Sequence, residues 1–114
     1  MPFINVKLSE SLEKAQIEHV KTELGKAISL LPGKSEAYLM VNIEENCNLF
    51  FKGNQSAPTA MCEVSVFGNA SRSACEALTG EICKILEAEA AVPPERTYVK
   101  FSFVDTWGYN GYLF

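Results

Sequence analysis

Histidine, tryptophan and aspartate each occur once in this 114-residue chain, arginine occurs twice, and no apolar run nears the ~18 residues that cross a membrane. A single His19, set off the apolar stripe of its helix and facing solvent, supports neither a catalytic triad nor a metal site. Ten Lys and Arg against fourteen acidic residues leave a net charge of −4, and the cations are scattered. That pattern excludes nucleic acid as the main partner, because phosphate binding needs clustered cations; a small anion needs only a local field. The N-terminus has no basic segment followed by an apolar stretch, so no secretory signal is read. The expected place is the cytosol, with any release from the cell independent of a signal peptide.

The four cysteines, Cys47, Cys62, Cys75 and Cys83, form no Cys-x-x-Cys pair, which removes support for a zinc ribbon or a thioredoxin-type site. Cys75 and Cys83 share a helix face, yet eight residues at ~1.5 Å rise hold them ~12 Å apart. A disulfide needs less than ~7 Å, so four free thiols are expected. Asn54-Gln55-Ser56 fits a glycosylation pattern but has no meaning without secretion.

What remains is ordinary globular material: 47% apolar and 21% charged residues suit one compact domain over residues 1–114. "FINVKL" alternates Ile4, Val6 and Leu8 against Phe3, Asn5 and Lys7, predicting a strand over Pro2 to Leu8. Ser9 or Ser11 is the expected cap of a helix whose stripe is Ile17, Val20, Leu24, Ala27, Ile28 and Leu31, stopped by "LPGK". "AYLMVNIEE" reads as a second strand, with Leu39, Val41 and Ile43 on one face, and "NLFFKG" as a short extra strand. "MCEVSVFG" is the next strand. Ser71 to about Glu89 is a helix with Cys75, Leu78, Ile82, Ile85 and Leu86 as its stripe, and "TYVKFSFVD" closes the chain with Val99, Phe101 and Phe103 inward.

Strand, helix, Pro-containing turn and strand thus occur twice. The fold expected is α/β (α+β): a duplicated β-α-β unit forming a four-stranded mixed sheet with two helices on one face. The other sheet face mixes Asn5, Lys7, Met40, Asn42, Glu63, Ser65, Lys100 and Ser102 with Phe3, Tyr38 and Tyr98. It is too apolar for free solvent and too polar for a dry core, which suits an interface between copies of the chain.

Proline directly behind Met1 has two readings. A strand can begin with a residue that lacks a ladder N–H, so the choice can be mechanical. Alternatively, if Met1 is removed, which a small second residue permits, Pro2 becomes a secondary amine able to act as a base. "GKS" at Gly33-Lys34-Ser35 is no phosphate-binding loop, since Ile28 stands at the first glycine's place and the segment follows a helix.

Met1-Pro2 before a strand, Gly33-Lys34 after the first helix, "FG" at mid-chain, "RTYVKF" and the terminal "WGYNGYLF" together resemble the macrophage migration inhibitory factor family of the tautomerase superfamily. The resemblance spans the whole chain. It implies a homotrimer with sites between subunits, a cofactor-free and metal-free keto–enol tautomerase, and Pro2 as the acid/base. By matching position it implies that Lys34 and the backbone N–H near Phe67 hold the carboxylate of a small anionic aromatic keto acid, such as phenylpyruvate or a dopachrome-like compound. Tyr98 is implied as the tyrosine that a neighbouring subunit offers, and Tyr109 stands where the family often has a tryptophan at the pocket mouth. Lys100 replaces a common asparagine.

A chain-end amine titrates near ~8, so a base at neutral pH must have its protonated form disfavoured; burial and a nearby Lys34 would both do this. Alone, each residue has a plainer role. Lys34 could satisfy helix-end carbonyls, Tyr98 could be sheet packing, and Lys100 could pair with Glu63 as readily as serve a pocket. The aromatic tail suits a pocket rim or a grip on the next subunit. The alternative to catalysis is a cytokine-like signalling or binding protein with a protein receptor; Thr59-Ala60-Met61-Cys62 at the place of the mammalian Cys-x-x-Cys gives a redox role no support.

Overall fold

The computed structural model describes all 114 residues. Strand β1 (Pro2–Leu8) lies at the centre with β3 (Ala60–Phe67), and their order with β2 (Met40–Glu44) and β4 (Thr97–Val104) is β2-β1-β3-β4. β1 runs parallel to β2 and β3 parallel to β4, while β1 and β3 are antiparallel. This is the mixed sheet of two β-α-β units. Helices α1 (Lys14–Ala27) and α2 (Arg72–Ala90) supply the two crossovers and pack against each other on one face.

The alternation read from the sequence is the alternation of burial. Ile4, Val6 and Leu8 on β1 and Cys62, Val64 and Val66 on β3 are closed from solvent beneath Val20, Leu24, Leu78, Ile82 and Leu86 of the helices. Each such aliphatic side chain contributes roughly 1.5–3 kcal/mol by leaving water. Leu31 and Val92, in the turns after the helices, complete this core.

Four expectations change. Neither Ser9 nor Ser11 caps α1: Ser9 Oγ accepts from Thr59 N–H and Ser11 Oγ donates to Asn46, so both are occupied by loops. Glu13 stands at the cap, its N–H held by Gln16 Oε1 at 2.7 Å. "NLFFKG" is not a strand. Lys52 and Gly53 adopt left-handed φ values of 53° and 80°, and the chain doubles back at once, leaving only a bridge between Phe51 and Asn54.

The second strand begins late, because Ser35 Oγ accepts from Ala37 N–H and sets Glu36–Tyr38 in a 3₁₀ turn. Tyr38 therefore leaves the sheet. On β4, Val99 and Phe101 are half-buried but Phe103 is 47% exposed, since an outermost strand is only partly covered by α2.

Beyond β4 a hairpin forms from β5 (Gly108–Tyr109) and β6 (Tyr112–Leu113). Asn110 and Gly111 both have positive φ, as a two-residue type I′ turn requires. No helix is long and apolar enough to cross a membrane.

Candidate functional site

A cleft of about 700 Å³ opens at the start of β1, within the range of small-molecule sites. Its walls come from three places: Met1, Pro2 and Phe3 of β1; Tyr38, Leu39 and Met40 at the entry to β2; and Trp107, Gly108 and Tyr109 of the C-terminal hairpin. The lining is mostly apolar and aromatic. Val104 and Ser65, near the ends of β4 and β3, close it.

Pro2 stands opposite Val66. The neighbouring pair is hydrogen-bonded, with Phe67 N–H donating to the Met1 carbonyl at 2.9 Å. Antiparallel pairs alternate, so Pro2 occupies a position that asks for no N–H. Pro2 is buried and contributes to the wall of the cleft.

Lys34 lies outside the cleft lining but comes near the Met1 end of the chain. The Pro32-Gly33 turn, with Gly33 at φ 80°, folds so that Lys34 N–H donates to Leu31 O at 3.0 Å. The side chain then runs inward, half-buried, and Nζ donates to Phe67 O at 3.0 Å. Phe67 is thus held at both polar ends: its N–H by Met1, its oxygen by Lys34. The Met1 ammonium has a pKa below its ordinary 8.0, first because burial disfavours the charge and then because the Lys34 ammonium repels it.

Tyr109 takes its place through aromatic packing. Its ring meets Tyr38 edge-on at 5.8 Å and stacks on Phe114 at 6.2 Å, while Phe114 leans on Phe67 at 5.9 Å. The fold therefore sets Pro2 and Tyr109 in the walls of one cleft, with Lys34 and Phe67 bonded to each other beside its Met1 end and outside its lining.

It does not bring Tyr98 or Lys100 to Pro2 within one chain. Lys100 is opposite Glu63 and Tyr98 opposite Met61, three and five residues along β3 from Val66, or about 10 Å and 17 Å. Lys100 Nζ lies 3.4 Å from Glu63 Oε2, and Tyr98 forms a T-shaped pair with Phe51, 5.3 Å between ring centroids. His19, mostly exposed, pairs with Glu89 on α2 at 3.2 Å, and all four cysteines are free. No three His, Cys, Asp or Glu side chains converge as metal ligands.

Tyr38 is a cleft residue that the sequence did not single out, whereas Trp107 belongs to the aromatic tail expected at a pocket rim. Tyr38 was read as one more strand residue. The signal that could have separated it was Ser35, three residues earlier, a turn cap and not a strand former.

The family model described as macrophage migration inhibitory factor matches residues 1–114. A comparison with curated proteins finds none that matches. Among solved structures, MIF2 of Leishmania major is 27% identical with a TM-score of 0.92, over 100% of this chain and 97% of that one. The macrophage migration inhibitory factor homologue of Prochlorococcus marinus is 26% identical with a TM-score of 0.82, over 98% of each chain. The Toxoplasma gondii macrophage migration inhibitory factor shares the fold at a TM-score of 0.91 and 22% identity, over 98% of this chain and 99% of that one.

Proposed function

The chain belongs to the macrophage migration inhibitory factor family of the tautomerase superfamily, and from that membership we propose a cofactor-free keto–enol tautomerase acting on small aromatic α-keto acids of the phenylpyruvate kind. The observation that carries this is that Pro2 lines an aromatic cleft while the peptide before it is hydrogen-bonded to Phe67, whose own oxygen accepts from Lys34 Nζ.

Removal of Met1 turns Pro2 into a secondary amine at a buried position, close to Lys34. Burial and the Lys34 charge, which already lower the pKa of the Met1 amine, then act on the proline nitrogen and favour its neutral form. Lys34 and the Phe67 N–H hold the substrate carboxylate, and Tyr38, Trp107 and Tyr109 enclose its ring. The neutral amine takes a proton from the carbon beside the ketone; that C–H bond breaks as an N–H forms. Its electron pair makes the enol double bond, and the prolinium proton passes to the ketone oxygen. The reverse path returns the keto acid.

The working unit of this reading is a homotrimer closed through the open sheet face. Tyr98 would come to each site from a neighbouring copy, because its own Pro2 is too far away. Light scattering that found a monomer at micromolar concentration would remove this part.

Enol–keto conversion of phenylpyruvate, followed by absorbance on protein shown by intact mass to start at Pro2, tests the activity. Pro2→Ala keeps a terminal amine but loses the ring, and should lower kcat/KM by ~10²–10⁴-fold. Full turnover by protein that retains Met1 would overturn the mechanism.

A further inference from the structure

The peptide group in front of Pro2 does more than hide the proline nitrogen. Its carbonyl oxygen accepts the Phe67 N–H at 2.9 Å, the last rung between β1 and β3. The next amide, Gly68 N–H, points the other way and donates to Val104 O on β4 at 3.0 Å. Standard bond lengths put the Met1 oxygen about 2.2 Å from the Pro2 nitrogen. An oxygen that replaced it from a separate molecule would lie within hydrogen-bond reach of both the Pro2 nitrogen and the Phe67 N–H. Lys34 Nζ, fixed 3.0 Å from Phe67 O, supplies positive charge beside the same spot.

We propose that the carbonyl preceding Pro2 is a built-in plug of an anion site, so that the unprocessed chain is closed to carboxylate ligands as well as lacking a base. Opening the site needs one step: water adds across the Met1–Pro2 amide under an aminopeptidase, the C–N bond breaks, methionine leaves, and Pro2 keeps the proton of its new amine. The rung is lost with the methionine. Phe67 is left with a half-buried N–H that has no acceptor, and such a donor is costly unless an anion fills the place. This inference rests on the reading of Pro2 as the centre of the site; it adds that processing creates the binding site and the base together.

The test separates binding from turnover. The probe is trans-cinnamate, an aromatic carboxylate with no ketone. Two proteins are compared: the chain beginning at Pro2, and a chain with Glu inserted between Met1 and Pro2, whose bulky second residue preserves a preceding carbonyl. By calorimetry, cinnamate should bind the extended chain about 10- to 100-fold more weakly, the loss expected for a charge-assisted hydrogen bond. In amide hydrogen exchange, Phe67 should be protected in the extended chain, exchange freely in the processed chain, and regain protection with cinnamate. Equal affinity in the two forms, including none in either, or a Phe67 amide indifferent to cinnamate, overturns the plug. If the processed chain binds cinnamate as expected but fails to convert phenylpyruvate, the tautomerase reading falls and the plug stands. If it converts phenylpyruvate while the extended chain binds cinnamate equally well, the plug falls and the tautomerase reading stands.

Discussion

Lys34 Nζ donates to the backbone oxygen of Phe67 at 3.0 Å, which ties the turn after the first helix to the end of the third strand. The contact joins two residues 33 positions apart and aims a cation at the start of β1. Lys34 thus has a structural contact beside the carboxylate-binding role proposed for it, and the two can be separated.

Lys34→Ala should cost only about 1 kcal/mol of stability, since the bond is partly exposed and a net hydrogen bond contributes little more. Activity on an acidic substrate should fall by ~10–150-fold in kcat/KM through the lost carboxylate contact. Removing the repelling charge should also raise the Pro2 amine pKa, so the acid limb of the pH–rate profile moves to higher pH. An uncharged keto ester should feel the second effect and not the first. Equal losses on acid and ester, with no movement of the limb, would make Lys34 purely structural.

Cys62 gives a prediction at alkaline pH. Its thiol is enclosed between β3 and the helices, and burial, followed by the nearby Cys83, pushes its pKa from 9.0 to about 12. The folded state therefore keeps a proton that the unfolded chain releases. Stability from this group is complete below pH 9 and is lost as pH rises toward 12, by up to about 1.4 kcal/mol per pH unit. Urea unfolding at a series of pH values should show Cys62→Ala with a lower starting stability but a shallower alkaline decline. Parallel declines in the two proteins would refute this.

Ala91 ends α2 in the left-handed region, with φ 56° and its N–H donating to Leu86 O. An L-residue with a Cβ is strained there, and a helix end of this kind favours glycine. Ala91 is exposed, so its methyl group contributes little packing. Ala91→Gly should stabilise the protein by about 0.5–1 kcal/mol after the greater freedom of glycine in the unfolded chain is offset. Thermal unfolding should show a midpoint raised by several degrees; an unchanged or lower midpoint would mean that the strain is already relieved.

The sheet was legible because its central strands carry a strict two-residue period. Ile4, Val6 and Leu8 point one way, and Pro2 fits a position where no N–H is needed. The helices were legible from their stripes. Phe51 and Tyr38 misled for a common reason: apolar and aromatic residues look like strand residues, while the backbone is decided by Lys52-Gly53 in one case and by Ser35 in the other. Asn110-Gly111 carries the hairpin signal in its residue types, since both positions need positive φ. Around the cleft, Pro2 and Tyr109 stand in its walls, and Lys34 meets Phe67 beside the Met1 end. Tyr98 and Lys100 could not be placed from local pattern, because a strand position says which face a side chain takes and not which copy of the sheet it meets.

Arg96 makes the last prediction, since it holds the one long loop of the fold. Its Nε donates to Thr59 Oγ1 at 3.0 Å, and its two terminal nitrogens donate to Asn54 Oδ1 at 3.1 Å and Asn54 O at 3.0 Å. The guanidinium also lies 5.4 Å from the centre of the Phe51 ring, which forms a T-shaped pair with Tyr98 at 5.3 Å between centroids. One planar fork thus fixes both ends of the 51–59 segment and, through Phe51, the orientation of Tyr98. Lysine can supply the charge but not the fork. Arg96→Ala should destabilise the protein by about 1–3 kcal/mol, and Arg96→Lys should recover less than half of that. Proteolysis should then begin within residues 51–59 in both variants, and the Tyr98 ring signals should broaden or shift by NMR. If Arg96→Lys is as stable as the parent and its loop is no more easily cut, charge alone anchors the segment and the fork geometry is incidental.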